Sequence, residues 1–326
     1  MPTSTRHPPL DTASRARLFL QLAQLEKAGF PADQAFAMMA KNDRTPLRKR
    51  LHTLPARLRA GQSVAEAGFN AGLFDANLKT LVAAAESGGT LAGLYRKLAV
   101  YYRDAAKRQR QTRSRLYLPA VTLTIALFVQ PLPALVTGKI SGGAYLWDSA
   151  GQLSIMALGI ALLLKLPRLL AAFGLSPVFH HGQLAFAPVA NWVVDRQLNA
   201  FFFMLAMLLD AGLPFAAALS ASVASISNTA LRKHFAPALA LMETGASVAE
   251  TLATVPVLKA TTLHIINSGE HSGQLPATVL HFTLIDAQAL ALQDDALAEW
   301  LPRLAYTAIG LWMAYGVLAQ NLPKWA

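Results

Sequence analysis

Residues 19–110 of this chain recur, imperfectly, at 203–294, and no other feature restricts the possible fold as much. Ala28-Gly29-Phe30-Pro31 returns as Ala211-Gly212-Leu213-Pro214, and Thr45-Pro46-Leu47-Arg48-Lys49 as Thr229-Ala230-Leu231-Arg232-Lys233. Gly61-Gln62-Ser63-Val64-Ala65-Glu66 returns as Gly245-Ala246-Ser247-Val248-Ala249-Glu250. Glu86-Ser87-Gly88-Gly89-Thr90-Leu91 returns as Glu270-His271-Ser272-Gly273-Gln274-Leu275. Four motifs in one order at an offset of 183 to 184 make a duplicated module.

Each motif reads as helix punctuation. Gly29 and Gly212 fit the left-handed residue that follows a helix, and Pro31 and Pro214 fit the start of the next. Thr45-Pro46 reads as an N-cap with a first-turn proline. Ser63 with Glu66, and Ser247 with Glu250, are S-x-x-E capping boxes. Between these marks apolar residues recur at helical spacing, as in Leu18, Leu22 and Leu25 or Leu91, Leu94 and Leu98. Each copy is therefore expected to be an all-α bundle of about six short helices.

Glu86 and Glu270 stand at helix ends, where the backbone dipole disfavours an anion. The expectation is that the tight glycine turn swings each carboxylate onto the amides opening the next helix, near Thr90-Leu91 and Gln274-Leu275.

Charge is unevenly placed. Residues 1–115 hold 20 Lys/Arg against 8 Asp/Glu, whereas residues 176–300 hold 4 against 9. The basic excess peaks at Lys107-Arg108-Gln109-Arg110-Gln111-Thr112-Arg113-Ser114-Arg115, and Leu116 to Gly138 then carries no charge. A basic cluster abutting an apolar run is the positive-inside pattern of a membrane span. A nucleic-acid-binding arm would show the cluster without the run. Only 14% of residues are charged, about half the usual share, which excludes a disordered chain and argues against a purely water-soluble one.

Three spans are expected: Leu116 to about Val136, about Trp147 to Leu164, and Leu304 to about Leu322. A short Gly-rich loop, Thr137–Gln152, joins the first two, and Lys165 and Arg168 close the second. Leu169–Val194, broken by Pro177, His180-His181-Gly182 and Pro188, reads as a juxtamembrane helix and connector. The run 197–209 is too short to cross and reads as a buried helix. The domains are thus 1–115 and 169–300 as cytoplasmic bundles, 116–168 as two spans and 301–326 as the third. The N-terminus lies in the cytoplasm and the C-terminus outside.

The chain resembles the type II secretion system F / type IV pilus inner-membrane platform proteins of bacteria. The resemblance rests on the ordered AG-(apolar)-P, G-x-S-(apolar)-x-E and GE-x-SG-x-L motifs, on Tyr117-Leu118-Pro119 at the first span, and on the spacing of spans. It covers roughly residues 17–322. The first copy departs at Ser87-Gly88-Gly89, which puts its turn geometry in question. The first repeat begins within about 20 residues of the N-terminus, which leans slightly toward a pilus variant. Asp294-Asp295-Ala296-Leu297-Ala298-Glu299, before the third span, departs from the positive-inside trend.

The resemblance implies a platform in the cytoplasmic membrane that couples a cytoplasmic assembly ATPase to insertion or extraction of pilin or pseudopilin subunits. It implies other inner-membrane assembly proteins, lipids and further copies of the chain as partners, with no nucleic acid. The basic face Arg44, Arg48, Lys49, Arg50, Arg57 and Arg59 is a candidate ATPase-docking or lipid-facing surface.

No chemistry-bearing motif competes with that role. There is no G-x-x-x-x-G-K-[ST] loop, no H-E-x-x-H and no G-x-S-x-G turn, and the absence of cysteine excludes thiol chemistry and disulfides. No catalytic residue, cofactor or metal site is expected; His180-His181 reads as a connector pair at a membrane surface in preference to a metal ligand, and His264 and His271, seven apart, have no carboxylate at ligand spacing. Phe201-Phe202-Phe203-Met204 reads as core packing. The alternative reading, a small transporter built from repeats, would need polar residues at mid-membrane, and the expected spans carry no such carboxylate or lysine pair.

Overall fold

The computed structural model describes residues 10–129, 131–172 and 187–321. Its described residues are helical and include no strand, so the fold is all-α as the punctuation predicts. The chain divides into two compact units, Met1–Lys107 with His180–Ala289, and Arg108–Phe179 with Leu290–Ala326.

The first unit holds both copies. The first comprises α1 (Thr12–Lys27), α2 (Ala32–Asn42), α3 (Leu47–Leu51), α4 (Leu54–Arg59), α5 (Val64–Asn70), α6 (Ala76–Ser87) and the opening of α7 (Leu91–Val129). The second comprises α10 (Ala187–Asp210), α11 (Phe215–Ser225), α12 (Thr229–Lys233), α13 (Ala236–Met242), α14 (Val248–Ala253), α15 (Ala260–His271) and the opening of α16 (Leu275–Asn321).

The punctuation acts where it was expected. Gly29 has φ 78° and Gly212 φ 88°, and the amides one residue on, Phe30 and Leu213, reach back to Leu25 O and Leu208 O at 3.1 Å each. That is a Schellman stop, which needs a left-handed residue and so favours glycine. Pro31 and Pro214 then stand at the N-caps of α2 and α11. The expected Thr45 cap is displaced: Pro46, not Thr45, stands at the N-cap of α3, and Thr45, one residue before it, accepts at Oγ1 from Leu47 N–H at 3.3 Å. In the second copy the cap falls to Asn228, whose Oδ1 accepts from Ala230 and Leu231 N–H.

One apolar core runs through both copies, from Leu18, Phe19, Phe36, Leu51 and Leu54 to Phe201, Leu205, Leu219 and Phe235. The run Phe201–Leu208 is buried throughout, and its rings meet Phe235 at 4.7 Å and Phe282 at 6.1 Å. Contacts among the described residues join the copies inside this unit. Tyr101 stacks on Phe203 with centroids 4.2 Å apart, Lys97 Nζ donates to Asp210 Oδ2 at 2.6 Å, and Gly88 lies against the Ala211 carbonyl. A Cβ on Gly88 would stand 2.5 Å from that oxygen. This is why the first copy departs from the family pattern there. The turn itself is unchanged, with φ 65° at Gly89 and 68° at Gly273.

Each copy also ties its first helix to its sixth with an ion pair, of opposite sense. In the first, Arg15 on α1 donates to Asp75 Oδ2 at 2.9 Å and to Tyr102 Oη at 3.0 Å, while Asp75 Oδ1 caps α6 at Leu78 N–H. In the second, Lys259 occupies the cap position and donates to Asp195 Oδ1 on α10 at 2.9 Å. Burial pushes the Tyr102 hydroxyl up from 10.0 to about 12, against the opposing pull of Arg15.

The second unit holds the rest of α7, α8 (Leu132–Val136), α9 (Gly142–Ala172) and the rest of α16. Tyr145 Oη donates to Phe128 O at 2.9 Å, joining α9 to α7. Most of the stretch expected as a Gly-rich loop, Thr137–Gln152, is helix, because Ser141 Oγ accepts from Ala144 N–H and lets α9 begin at Gly142. Large apolar side chains stay uncovered along these helices: Tyr117, Leu118, Ile125, Trp147, Ile155, Leu158, Leu304 and Leu311.

Two described stretches are long and apolar enough to cross a membrane, Ala190–Asp210 and Leu275–Ala296. The first is more than half buried and is the core helix that the run 197–209 predicts. The three expected spans lie on α7–α8, α9 and α16; residues 130 and 322, within the first and third, and 173–186, with His180-His181, lie outside the described residues.

Two glycine substitutions separate packing from propensity. Gly88→Ala is expected to cost about 1–3 kcal/mol by overpacking against Ala211. Gly93→Ala, in the first turn of α7 with open space around it, should stabilise by up to about 1 kcal/mol. Denaturant unfolding of the full chain in detergent reads both, and a neutral Gly88→Ala would refute the close approach. Because Tyr102 keeps its proton in the fold up to about pH 12 but loses it near 10.0 when unfolded, its contribution is whole below pH 10 and fades above it. Tyr102→Phe should therefore flatten the fall in stability between pH 10 and 12.

Candidate functional site: glutamate-clamped helix starts and a basic face

The paired glutamates hold amides, but of the preceding helix and not the following one. Glu86 Oε1 accepts from Val64 N–H at 2.8 Å and Oε2 from Ala65 N–H at 3.2 Å. Glu270 Oε1 accepts from Val248 N–H at 2.7 Å and Oε2 from Ala249 N–H at 2.8 Å. The expected partners near Thr90-Leu91 and Gln274-Leu275 are thus replaced by the openings of α5 and α14. The reason is directional. Side chains on a helix lean toward its N-terminus, so Glu86 points away from the turn that follows it. The α5–α6 hairpin sets the start of α5 beside the end of α6, and the positive end of one helix offsets the negative end of the other.

The same helix starts carry the serine caps. Ser63 Oγ accepts from Glu66 N–H and Ser247 Oγ from Glu250 N–H, each at 3.1 Å. In the second copy the box closes, with Ser247 N–H donating to Glu250 Oε2 at 3.1 Å. In the first, Glu66 instead lies 3.9 Å from Lys79 Nζ. Between them, the serine and the clamping glutamate satisfy three of the four amides that a helix start leaves open. Ser272, in the turn after α15, donates from Oγ to Gly269 O at 3.1 Å.

The basic face is less uniform than its sequence. Arg44 in the α2–α3 turn and Arg48 and Lys49 on α3 are exposed. Arg50 is half-buried and donates from Nη1 to Gly72 O at 2.8 Å, which makes it part of the fold. Arg57 on α4 is half-buried, and Arg59 Nε donates to Asp33 Oδ2 at 3.1 Å. Lys41 and His52, which the sequence did not single out, line a concavity with Arg48 and Arg59. Their separation along the chain hid them; α2 and the α3–α4 turn bring them together. Among the described residues no group of three His, Asp or Glu side chains could hold a metal ion. His264 and His271 are exposed, and the His271 ring bonds Asn267 O at 2.9 Å.

Removing one clamp leaves two amides unpaired at a helix of six or seven residues. Glu86→Ala and Glu270→Ala are each expected to cost about 1.5–3 kcal/mol, and Ser63→Ala or Ser247→Ala about 1 kcal/mol. Unfolding of the full chain in detergent would measure the four side by side. A glutamate variant no worse than a serine variant would mean that the clamp contributes nothing beyond an ordinary cap.

The family model described as type II secretion system (T2SS), protein F matches residues 18–137 and 201–323, two segments that begin at the offset relating the sequence motifs. The type II secretion system protein F of Vibrio cholerae serotype O1 is 24% identical over 287 residues, spanning 82% of this chain and 70% of that protein. The type II secretion system protein F of Xanthomonas campestris pv. campestris is 26% identical over 325 residues, spanning 91% of this chain and 78% of that protein. With well over half its length matched, the chain belongs to the type II secretion system protein F family.

Proposed function

We propose that this chain is an inner-membrane platform of a type II secretion or type IV pilus machine. In this reading it couples a cytoplasmic assembly ATPase to insertion or extraction of pilin or pseudopilin subunits. Family membership supports the secretion-system role. The observation that carries the reading is the contrast between the units. One has both copies welded into a single core with its helix starts clamped, and the other leaves Trp147, Ile155, Leu158 and Leu311 uncovered. Uncovered apolar helix faces need lipid or another apolar helix. A stiff body on the same chain as such helices passes force without any reacting group of its own.

The chain crosses the membrane three times, with the N-terminus and both copies in the cytoplasm and the C-terminus outside. Arg44, Lys49 and Arg57 are the exposed or half-exposed members of the basic face left for ATPase docking or anionic lipid, with Arg48 and Arg59 beside them. Further copies of the chain and other inner-membrane assembly proteins complete the platform.

Reporter fusions at Gly143, at His181 and after the last residue test this topology. The first and third should report outside and the second inside; any other pattern overturns the three-span reading. The coupling role predicts that the full chain retains a cytoplasmic secretion-type ATPase on purification, and that a double Arg44→Glu, Lys49→Glu variant retains at least several-fold less. Equal retention would remove the basic face from docking.

A further inference from the structure

The duplication supplies an internal control for the basic face. The same helices are built twice, so a comparison of the copies shows which side chains these helices can be built without. The concavity between α2, α3 and α4 is lined mostly by such side chains. Lys41, Arg48, His52 and Arg59 line it in the first copy over a floor of Ala37, Ala40, Pro55 and Ala56. The buried positions fix the alignment: Phe36 matches Leu219, Leu51 matches Phe235, and Leu54 matches Ala238. On that register Lys41 corresponds to Ala224, His52 to Ala236 and Arg59 to Glu243.

Arginine is kept only at Arg48 and Arg232, and the two do different things. Arg232 turns its fork onto the Ile226 carbonyl, with Nε at 3.1 Å and Nη2 also donating, so its donors are absorbed by the fold. Arg48 makes no such bond among the described residues. Lys41 and His52 likewise meet no acceptor there. Among the described residues the one carboxylate ion-paired with the set is Asp33, which accepts from Arg59 Nε and does not line the concavity. Unpaired cations gathered around one hollow repel each other, and the second copy folds without them. An anion held in the hollow would relieve that repulsion.

We infer that this concavity is a binding site for a small phosphate-bearing ligand. Its space of about 450 Å³ lies within the range of small-molecule sites. The Arg48 fork suits two oxygens of one phosphate, Lys41 and His52 add donors around it, and the Ala and Pro floor takes the apolar part of the ligand. A single carboxylate could not occupy so many donors. The site belongs to the first copy alone and stands whether or not the platform reading holds.

The test replaces first-copy residues with those the second copy already tolerates. Full-length chain in detergent is titrated with inorganic pyrophosphate by calorimetry, as wild type and as the Lys41→Ala, His52→Ala double variant. Arg48→Gln is a third sample, and Lys233→Gln, an exposed cation of the second copy, is the control. In parallel, native mass spectrometry of chain extracted from phosphatidylglycerol-containing membranes counts retained lipid. Saturable binding weakened at least about tenfold by the double variant and by Arg48→Gln, but unchanged by Lys233→Gln, supports the site. Pyrophosphate binding without lipid retention assigns a soluble ligand; lipid loss confined to the same variants assigns a headgroup. Equal behaviour of all four proteins overturns the inference. So does an equal loss with Lys233→Gln, which would mean diffuse charge attraction, and so does binding of an acidic peptide with no binding of either phosphate probe. Unchanged thermal unfolding of the double variant separates lost binding from lost folding.

Discussion

A carboxylate that reaches from the end of one helix to the opening amides of another is the interaction the first unit is organised around. Helices of five to seven residues are too short to form alone, since nucleation outweighs the few bonds they make. Here α5 and α14 have seven and six residues. Each is held at its start by a serine below and a glutamate from the neighbouring helix. The glutamate does two jobs with one group. It completes the donors of the short helix, and it fixes the antiparallel register of the hairpin, because only one alignment brings Glu86 to Val64 and Ala65. The same bonds in the second copy, between Glu270 and Val248 and Ala249, make this a property of the module.

Two similar copies in one chain can exchange partners while folding. The ion pairs between first and sixth helices oppose that exchange. In the native pairing Arg15 meets Asp75, and Asp195 meets Lys259. If α1 paired with α15, Arg15 would face Lys259, and if α10 paired with α6, Asp195 would face Asp75. Both wrong pairings set like charges together, one of them around an arginine whose side chain is only 13% exposed. Exposed ion pairs add little stability, so their worth here lies in the alternatives they penalise. The contact between copies is asymmetric in the same sense. Gly88 admits the Ala211 carbonyl, whereas Ser272 at the matching position carries a Cβ that such an approach would not leave room for.

Much of this was legible before any coordinates. The glycine stops, the proline starts, the serine boxes and the buried Phe201–Met204 run follow from local rules, because the interacting groups lie within a few residues of each other. What the sequence leaves open depends on residues brought together from separate helices. The glutamate clamp was read as local, onto the next turn, when its partners stand 21 and 22 residues earlier. Lys41 and His52 look like ordinary surface residues until α2 and α4 pack. Arg50 looked available for docking, yet its donor is taken by Gly72 O. Gly88 read as a departure from a motif, and only the approach of Ala211 gives it a cause.

Hydropathy alone would misassign this chain. Ala190–Asp210 is as apolar and as long as a span, yet its apolar side chains are the interior of the first unit. The helices of the second unit are apolar too, but there Tyr117, Leu118, Trp147, Ile155 and Leu158 are mostly uncovered. Away from its ends a helix satisfies its own backbone, so what these faces still require is an apolar surrounding. A helix whose apolar side is already covered gains nothing by entering lipid, whereas one whose apolar side is bare gains about 25 cal/mol for each Å² it removes from water. In the proposed arrangement, what separates a core helix from a membrane helix is therefore what its apolar side already touches.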